Sequence, residues 1–161
     1  MSADERAVRI DGPAGAALLI VHADLSCPDC ALVMDRLRRI PIRIDLRHFV
    51  LRSRGIPARR AAEAAEAAAL QHAFVPFAHA LLERQGHHEL PDLWALARRL
   101  HLDVDRFESD RRVQSENPRI ADETQAALRA GAVGVPALFG DAAVQRVLQA
   151  HGFDGPALIE P

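Results

Sequence analysis

The only two cysteines of the chain stand three residues apart, in Leu25-Ser26-Cys27-Pro28-Asp29-Cys30, where a strand-like segment gives way to a helix-like one. Ahead of them the turn Gly12-Pro13-Ala14-Gly15 leads into Ala16-Ala17-Leu18-Leu19-Ile20-Val21. A short continuous apolar run of this kind suits a strand buried on both faces, although periodicity alone leaves a buried helix open. Pro28 occupies the place of a first helical residue, with Cys27 just before it. Leu32, Val33, Leu37 and Ile40 then recur at helical spacing up to Pro41. Ile42-Arg43-Ile44-Asp45-Leu46-Arg47-His48-Phe49 alternates strictly and reads as a second strand. Strand, CxxC, helix, strand is a βαβ unit.

The middle of the chain is helical by pattern. Ala58 to Ala73 is rich in alanine and glutamate, both strong helix formers. Phe74, Phe77 and Leu81 line one face of the next segment, and Pro91 opens another with Leu93, Leu96, Ala97 and Leu100 inward. Asp103 is placed to cap a helix carrying Val104, Phe107 and Val113. Asn117-Pro118, an N-cap followed by an N1 proline, starts a helix that ends at Gly131. Val133 to Phe139 then reads as strand. Gly140-Asp141 is either a hairpin turn into Ala142–Gln145 or the cap of a terminal helix, and the sequence does not separate the two.

Composition enters as a set of exclusions. A chain of 161 residues buries roughly 70% of its unfolded surface and needs neither disulfide nor metal to stay folded. A net charge of −2 provides no field for nucleic acid or an anionic membrane. The basic residues are all arginine, which we read as genome composition rather than phosphate recognition. Arg52, Arg54, Arg59 and Arg60 accordingly read as a solvated basic turn, and Phe74, Phe77 and Trp94 as core. The polar N-terminus lacks a signal-peptide pattern, and no apolar run is long enough to span a bilayer. The expectation is a cytoplasmic protein whose thiols stay reduced.

Three structural readings of the cysteines compete with a redox one. As a staple, a loop this short removes only roughly 2 kcal/mol of unfolded-state entropy, against about 4.7 for a hundred-residue loop. As a zinc site, the pair lacks a second Cys pair or spaced histidines; His87 and His88 are adjacent, and His22 and His48 are distant in sequence. As incidental core thiols, they sit oddly beside Pro28 and Asp29, which suit a solvent-facing helix start. The redox reading accounts for the spacing directly. A sulfur at a helix N-terminus faces unpaired N–H groups and the positive end of the macrodipole, which favours thiolate. A second cysteine one turn on can resolve a mixed disulfide, and CxxC near a βαβ pattern is a thioredoxin-like signal.

These landmarks together resemble the DsbA-like branch of the thioredoxin fold, including the small domains attached to some sodium/proton antiporters. "DGPAGAALLIVHADLSCPDC" resembles its opening strand and active-site turn, and "IDLRHFVL" its next strand. "AAEAAEAAALQHAFVPFAHALLERQ" and "LPDLWALARRLHLDVDRF" are similar to its inserted helices, and "ALRAGAVGVPALF" to the approach to its cis-proline. The resemblance implies an α/β, thioredoxin-like fold with an inserted helical region between the βαβ half and the C-terminal β segment. It implies one domain over 1–161, with 10–56 and 132–150 as thioredoxin core and 57–131 as insertion. Cys27 becomes the attacking thiol and Cys30 the resolving one. Pro136, after Val135, becomes the cis-proline facing the dithiol, with Val135 offering backbone groups to a partner strand.

Three positions depart from the family pattern. The family's buried acid six residues before the first cysteine is Val21 here. His22 beside it points to the opposite face and reads as a structural histidine, whereas Asp24, nearer the turn, is placed to substitute. Asp29 stands where the family more often has tyrosine or histidine; a carboxylate there disfavours the thiolate, so with Pro28 it modulates the site. The expectation is a weaker oxidant than relatives near about −120 mV. His101 replaces a glycine after a helix, at a cost on the order of 1 kcal/mol in a left-handed conformation.

The expected function is thiol–disulfide oxidoreductase, exchanging the Cys27–Cys30 dithiol or disulfide with protein or small-thiol partners. It needs no metal or organic cofactor and relies on a further redox partner to recharge it. The alternative is a non-catalytic, redox-sensing or partner-binding module, which Val21 favours. A glutathione-dependent isomerase or transferase shares the helical insertion but typically has serine in place of the first cysteine.

Overall fold

The computed structural model describes residues 9–160. Among these residues five strands form one mixed sheet: β1 (Ile10–Asp11), β2 (Leu18–Ala23), β3 (Arg43–His48), β4 (Ala137–Phe139) and β5 (Leu158–Ile159). Their spatial order is β1-β3-β2-β4-β5. β2 and β3 are parallel, and α1 (Pro28–Leu37) joins them, which is the βαβ unit read from the sequence. β4 runs antiparallel to β2 on its other side, and β5 parallel to β4. Near the start of β3 the chain passes so close to Gly12 (φ +114) that a Cβ there would lie 2.3 Å from the Ile42 oxygen. Only glycine fits that crossing.

Between β3 and β4 lies the helical insertion: α2 (Gly55–Ala69), α3 (Phe74–Glu83), α4 (Leu90–Arg99), α5 (Val104–Val113) and α6 (Pro118–Arg129). The architecture is thus α/β, a thioredoxin-like sheet with an inserted helical region. Asp103 caps α5 by accepting from the Arg106 N–H, and Asn117 caps α6 by accepting from Arg119, each with the residue the pattern named. The alanines of α2 do more than favour helix. Ala58, Ala61, Ala62, Ala64, Ala65, Ala67 and Ala68 are all buried, because a side chain this small lets neighbouring helices close in.

β2 feeds two cores. Leu19, Val21 and Ala23 face the larger one, built with Ile44, Leu46, Met34, Leu37, Phe74, Phe77 and Phe107. Ile20 faces the smaller one on the opposite side, with Phe49, Ala127 and Phe139. His22 shares that side: it is buried, stacks edge-on to Phe139 at 5.4 Å, and its Nδ1 lies 3.3 Å from the His48 oxygen. Burial holds its pKa below the ordinary histidine value, as befits a structural imidazole.

Three local expectations are corrected. Leu32 does not face the core but is 66% exposed, since α1 buries Cys30, Met34 and Leu37 instead. Val113 is exposed at the end of α5. The last β segment is shorter than Val133–Phe139: Val133 is fully exposed, and strand pairing begins only at Ala137. The open choice at Gly140-Asp141 resolves to a helix, α7 (Ala142–Ala150), whose cap Asp141 accepts from the N–H groups of Ala143 and Val144.

Candidate active site

The C-terminal end of β2 turns sharply before the first cysteine. The Cys27 N–H donates to the Asp24 carbonyl at 3.1 Å, and Asp24 Oδ1 accepts from the Ser26 N–H at 2.8 Å and its hydroxyl at 2.7 Å. This turn delivers Cys27 as the N-cap of α1 in an extended conformation (φ −98, ψ 121), with Pro28 next and no side-chain capping hydrogen bond. The sulfur therefore meets the positive end of a ten-residue helix. Pro28 and Asp29 face solvent, whereas Cys27 is 3% exposed and Cys30 wholly buried.

Both cysteines are free thiols, and Cys30 lies within hydrogen-bonding reach of Cys27. Burial pushes the Cys30 thiol far above its ordinary pKa; a hydrogen bond with the Asp24 backbone works against this, and the charges of Cys27 and Asp24 reinforce it. One sulfur thus sits at the helix end while its neighbour is held protonated beneath it. Asp29, at the second position of α1, is exposed, and the carboxylate acting on Cys30 is that of Asp24.

Val21 is fully buried among apolar side chains, so no acid stands at that point of β2. Asp24 is also fully buried, but its carboxylate is occupied. Besides Ser26 on Oδ1, the Arg54 Nε donates to Oδ2 at 2.8 Å. Arg54 ends the short 3₁₀ turn Arg52–Arg54 that follows β3. The sequence reads it as part of a solvated basic turn; the structure instead puts its guanidinium on Asp24, at the turn that carries the dithiol. No local signal marks it, since Arg52 and Arg54 look alike in sequence and only the fold brings one of them to Asp24.

The Val135–Pro136 peptide bond is cis. Ala137 pairs with His22, so Pro136 stands one residue beyond that pair, at the same end of β2 as the Asp24–Cys27 turn. Val135 is half-buried and packs against both hydrophobic clusters. A groove of about 430 Å³ opens from Pro28 between α1 and α3, with Ala31, Leu32, Leu82 and Gln85 among its walls. The Gln85 amide donates to the Leu25 oxygen at 3.2 Å and so ties α3 to the active-site turn. Among the described residues no group of three His, Cys, Asp or Glu side chains is arranged to hold a metal ion. No helix among them is long and apolar enough to cross a membrane.

Residues 54–159 match the family model of the DSBA-like thioredoxin domain. Among curated proteins the chain is 35% identical, over 136 residues, to Na(+)/H(+) antiporter NhaA 3 of Salinispora tropica, covering 81% of this chain and 21% of that protein. It is 32% identical, over 139 residues, to Na(+)/H(+) antiporter NhaA 1 of Mycolicibacterium vanbaalenii, again covering 81% of this chain and 22% of the relative. The chain therefore spans about a fifth of the length of these relatives. Among solved structures it is similar to a thioredoxin-like oxidoreductase from Silicibacter pomeroyi, with a TM-score of 0.74, 21% identity, and coverage of 92% of this chain and 99% of that one. The thiol-disulfide exchange protein alpha-DsbA2 from Wolbachia pipientis gives a TM-score of 0.70, 16% identity, and coverage of 86% and 87%. At these identities the structural likeness is one of fold.

Proposed function

The chain belongs to the DSBA-like thioredoxin domain family, and from that premise we propose that it is a thiol–disulfide oxidoreductase working through Cys27 and Cys30. The observation that carries this reading is Cys27 at the uncapped N-terminus of α1 with Cys30 within reach. The Cys27 thiolate attacks one sulfur of a partner disulfide; a Cys27–partner bond forms, the partner S–S bond breaks, and the leaving thiolate takes up a proton. Cys30 then loses its proton and attacks Cys27, releasing the second partner thiol and leaving the Cys27–Cys30 disulfide. Two electrons have passed to the partner, and a separate dithiol donor returns them; run backward, the same steps oxidise a dithiol. Pro136 and the Val135 backbone border the approach, and Pro28 and Asp29 form its solvent-facing rim. Residues 10–56 and 132–150 form the exchange core in this reading, and 57–131 shape its surroundings. The setting is a reducing, cytoplasmic one, and the partner is a disulfide-bearing protein or small thiol.

A second reading rests on a different observation: Val21 supplies no acid, and Cys30 is buried with its thiol pushed far up. It is a domain that senses redox state and passes it to a partner without turnover, and the antiporter relatives offer a model of such a partner. Turnover separates the two. Catalytic reduction of insulin or glutathione disulfide, lost in Cys27→Ala, supports exchange; stoichiometric oxidation without turnover overturns it in favour of the sensor.

A further inference from the structure

Arg54 reaches the dithiol from a segment that the exchange steps do not otherwise use. Its Nε is fixed to Asp24 Oδ2 at 2.8 Å, and Asp24 is fully buried. Asp24 also begins the turn that Cys27 ends, through the 3.1 Å bond between the Cys27 N–H and the Asp24 oxygen. The Asp24 carboxylate thus holds the guanidinium, while the main-chain carbonyl of the same residue holds the turn that presents the reactive sulfur. The arginine side chain is 36% exposed, so part of it remains at the solvent side, where a partner arrives.

We propose that Arg54 is the counter-cation of the Cys27 thiolate, positioned by Asp24, and that it sets how readily this protein's exchange begins. The inference rests on Cys27 being the attacking thiol. Among the described residues, the charged and titratable groups that act together at the dithiol are Asp24 on the turn, Cys30 and Arg54 from the segment after β3, with Asp29 two residues along on the exposed rim. Both carboxylates oppose a second negative charge, and Arg54 is the cation among these groups that favours it. A guanidinium suits this role because it stays protonated throughout the range in which thiols titrate. The Arg54 pKa is itself pushed up, first by its hydrogen bond to Asp24 and further by its interactions with Cys27. Once Cys27 enters a disulfide the sulfur carries no charge, and Arg54 keeps Asp24 as its partner. The cation therefore stabilises the reduced form selectively.

The test uses the full chain with Cys30→Ser, so that one thiol titrates, and compares Arg54, Arg54→Met and Arg54→Lys. Ultraviolet thiolate absorbance against pH gives the Cys27 midpoint, and alkylation by anionic iodoacetate and neutral iodoacetamide reports the local charge. Arg54→Met is expected to move the midpoint up by about one unit, a change of about tenfold in the thiol–thiolate equilibrium constant. The relative advantage of iodoacetate falls with it, and Arg54→Lys retains most of the parent behaviour. A Met variant that titrates like the parent overturns the proposal, as do Met and Lys variants shifted equally. Should the Met variant not fold, the parent alone decides: iodoacetate no faster, relative to iodoacetamide, than on free cysteine overturns it. Turnover that survives Cys27→Ala sinks the exchange reading instead. Turnover intact with an unmoved Arg54→Met midpoint sinks only the role of Arg54.

Discussion

Arg54 and Asp24, thirty residues apart, are joined by a 2.8 Å hydrogen bond from Nε to Oδ2, which fastens the segment after β3 to the turn before Cys27. Asp24 is fully buried, and three donors converge on it from Ser26 and Arg54. Replacing it by Asn puts an amide group where one of those donors is expected. Asp24→Asn is expected to cost about 1–3 kcal/mol, the range for disrupting hydrogen bonds to a buried charged group. Urea denaturation measures this; a variant as stable as the parent would mean that the carboxylate does not hold the turn.

A second ionic knot predicts how the protein responds to acid. Glu66 of α2 accepts from Arg9 at 2.6 and 3.0 Å and from His48 Nε2 at 2.8 Å, all buried. Burial alone raises its pKa, but the hydrogen bonds and charges of His48 and Arg9 outweigh it and hold the carboxyl at about 2. The folded value lies below the unfolded one, so the stabilisation is complete above about pH 4.5 and disappears as pH falls toward about 2. The shift corresponds to on the order of 3 kcal/mol. Glu66→Gln should be less stable at neutral pH and lose less stability across that window. Equal losses in both proteins would place the acid sensitivity elsewhere.

What the sequence made legible was whatever depends on near neighbours. The Cys27–Pro28 junction and the caps Asp103 and Asn117 each need only one turn of chain, and each stands where the pattern put it. Contacts across the fold were not legible. Leu32 belongs to an apolar spacing that looks helical, yet α1 turns Cys30, Met34 and Leu37 to the core and leaves Leu32 on the groove. The Gly140-Asp141 ambiguity was settled by topology: β5 runs parallel to β4, so a hairpin cannot join them and a crossover helix does. The same holds for Arg54, whose partner Asp24 lies at the exit of another strand, thirty residues away.

His101 offers a stability gain away from the site. It has φ 58 just after α4, and its N–H donates to the Arg98 oxygen at 3.0 Å while that of Leu102 donates to Ala97 at 3.0 Å. This is a Schellman ending, whose left-handed position favours glycine. The side chain is exposed, so removing it loses little packing. His101→Gly relieves a cost of about 1–2 kcal/mol, offset by about 0.4–1 of added freedom in the unfolded chain. A net gain of roughly 0.5–1 kcal/mol and a higher thermal midpoint are expected. A lower midpoint would show that His101 contributes more than its backbone conformation costs.

The two sulfurs should differ sharply in reactivity even though they are neighbours. Cys30 is wholly buried and its thiol pushed far up, first by burial and then by the charges of Cys27 and Asp24. A raised folded value means that the thiolate is missing at neutral pH, so brief iodoacetamide treatment at pH 7 should modify Cys27 and spare Cys30 until the chain is unfolded. Peptide mass mapping reads the site directly. The same electrostatics make the second step conditional on the first: once Cys27 is bonded to a partner its charge is gone, and one of the two repulsions acting on Cys30 goes with it. Cys30→Ser, which removes the resolving thiol, should therefore accumulate the Cys27–partner mixed disulfide on non-reducing gels. Equal alkylation of both thiols in the folded protein, or a Cys30→Ser variant that releases its partner as fast as the parent, would remove the division of labour between them.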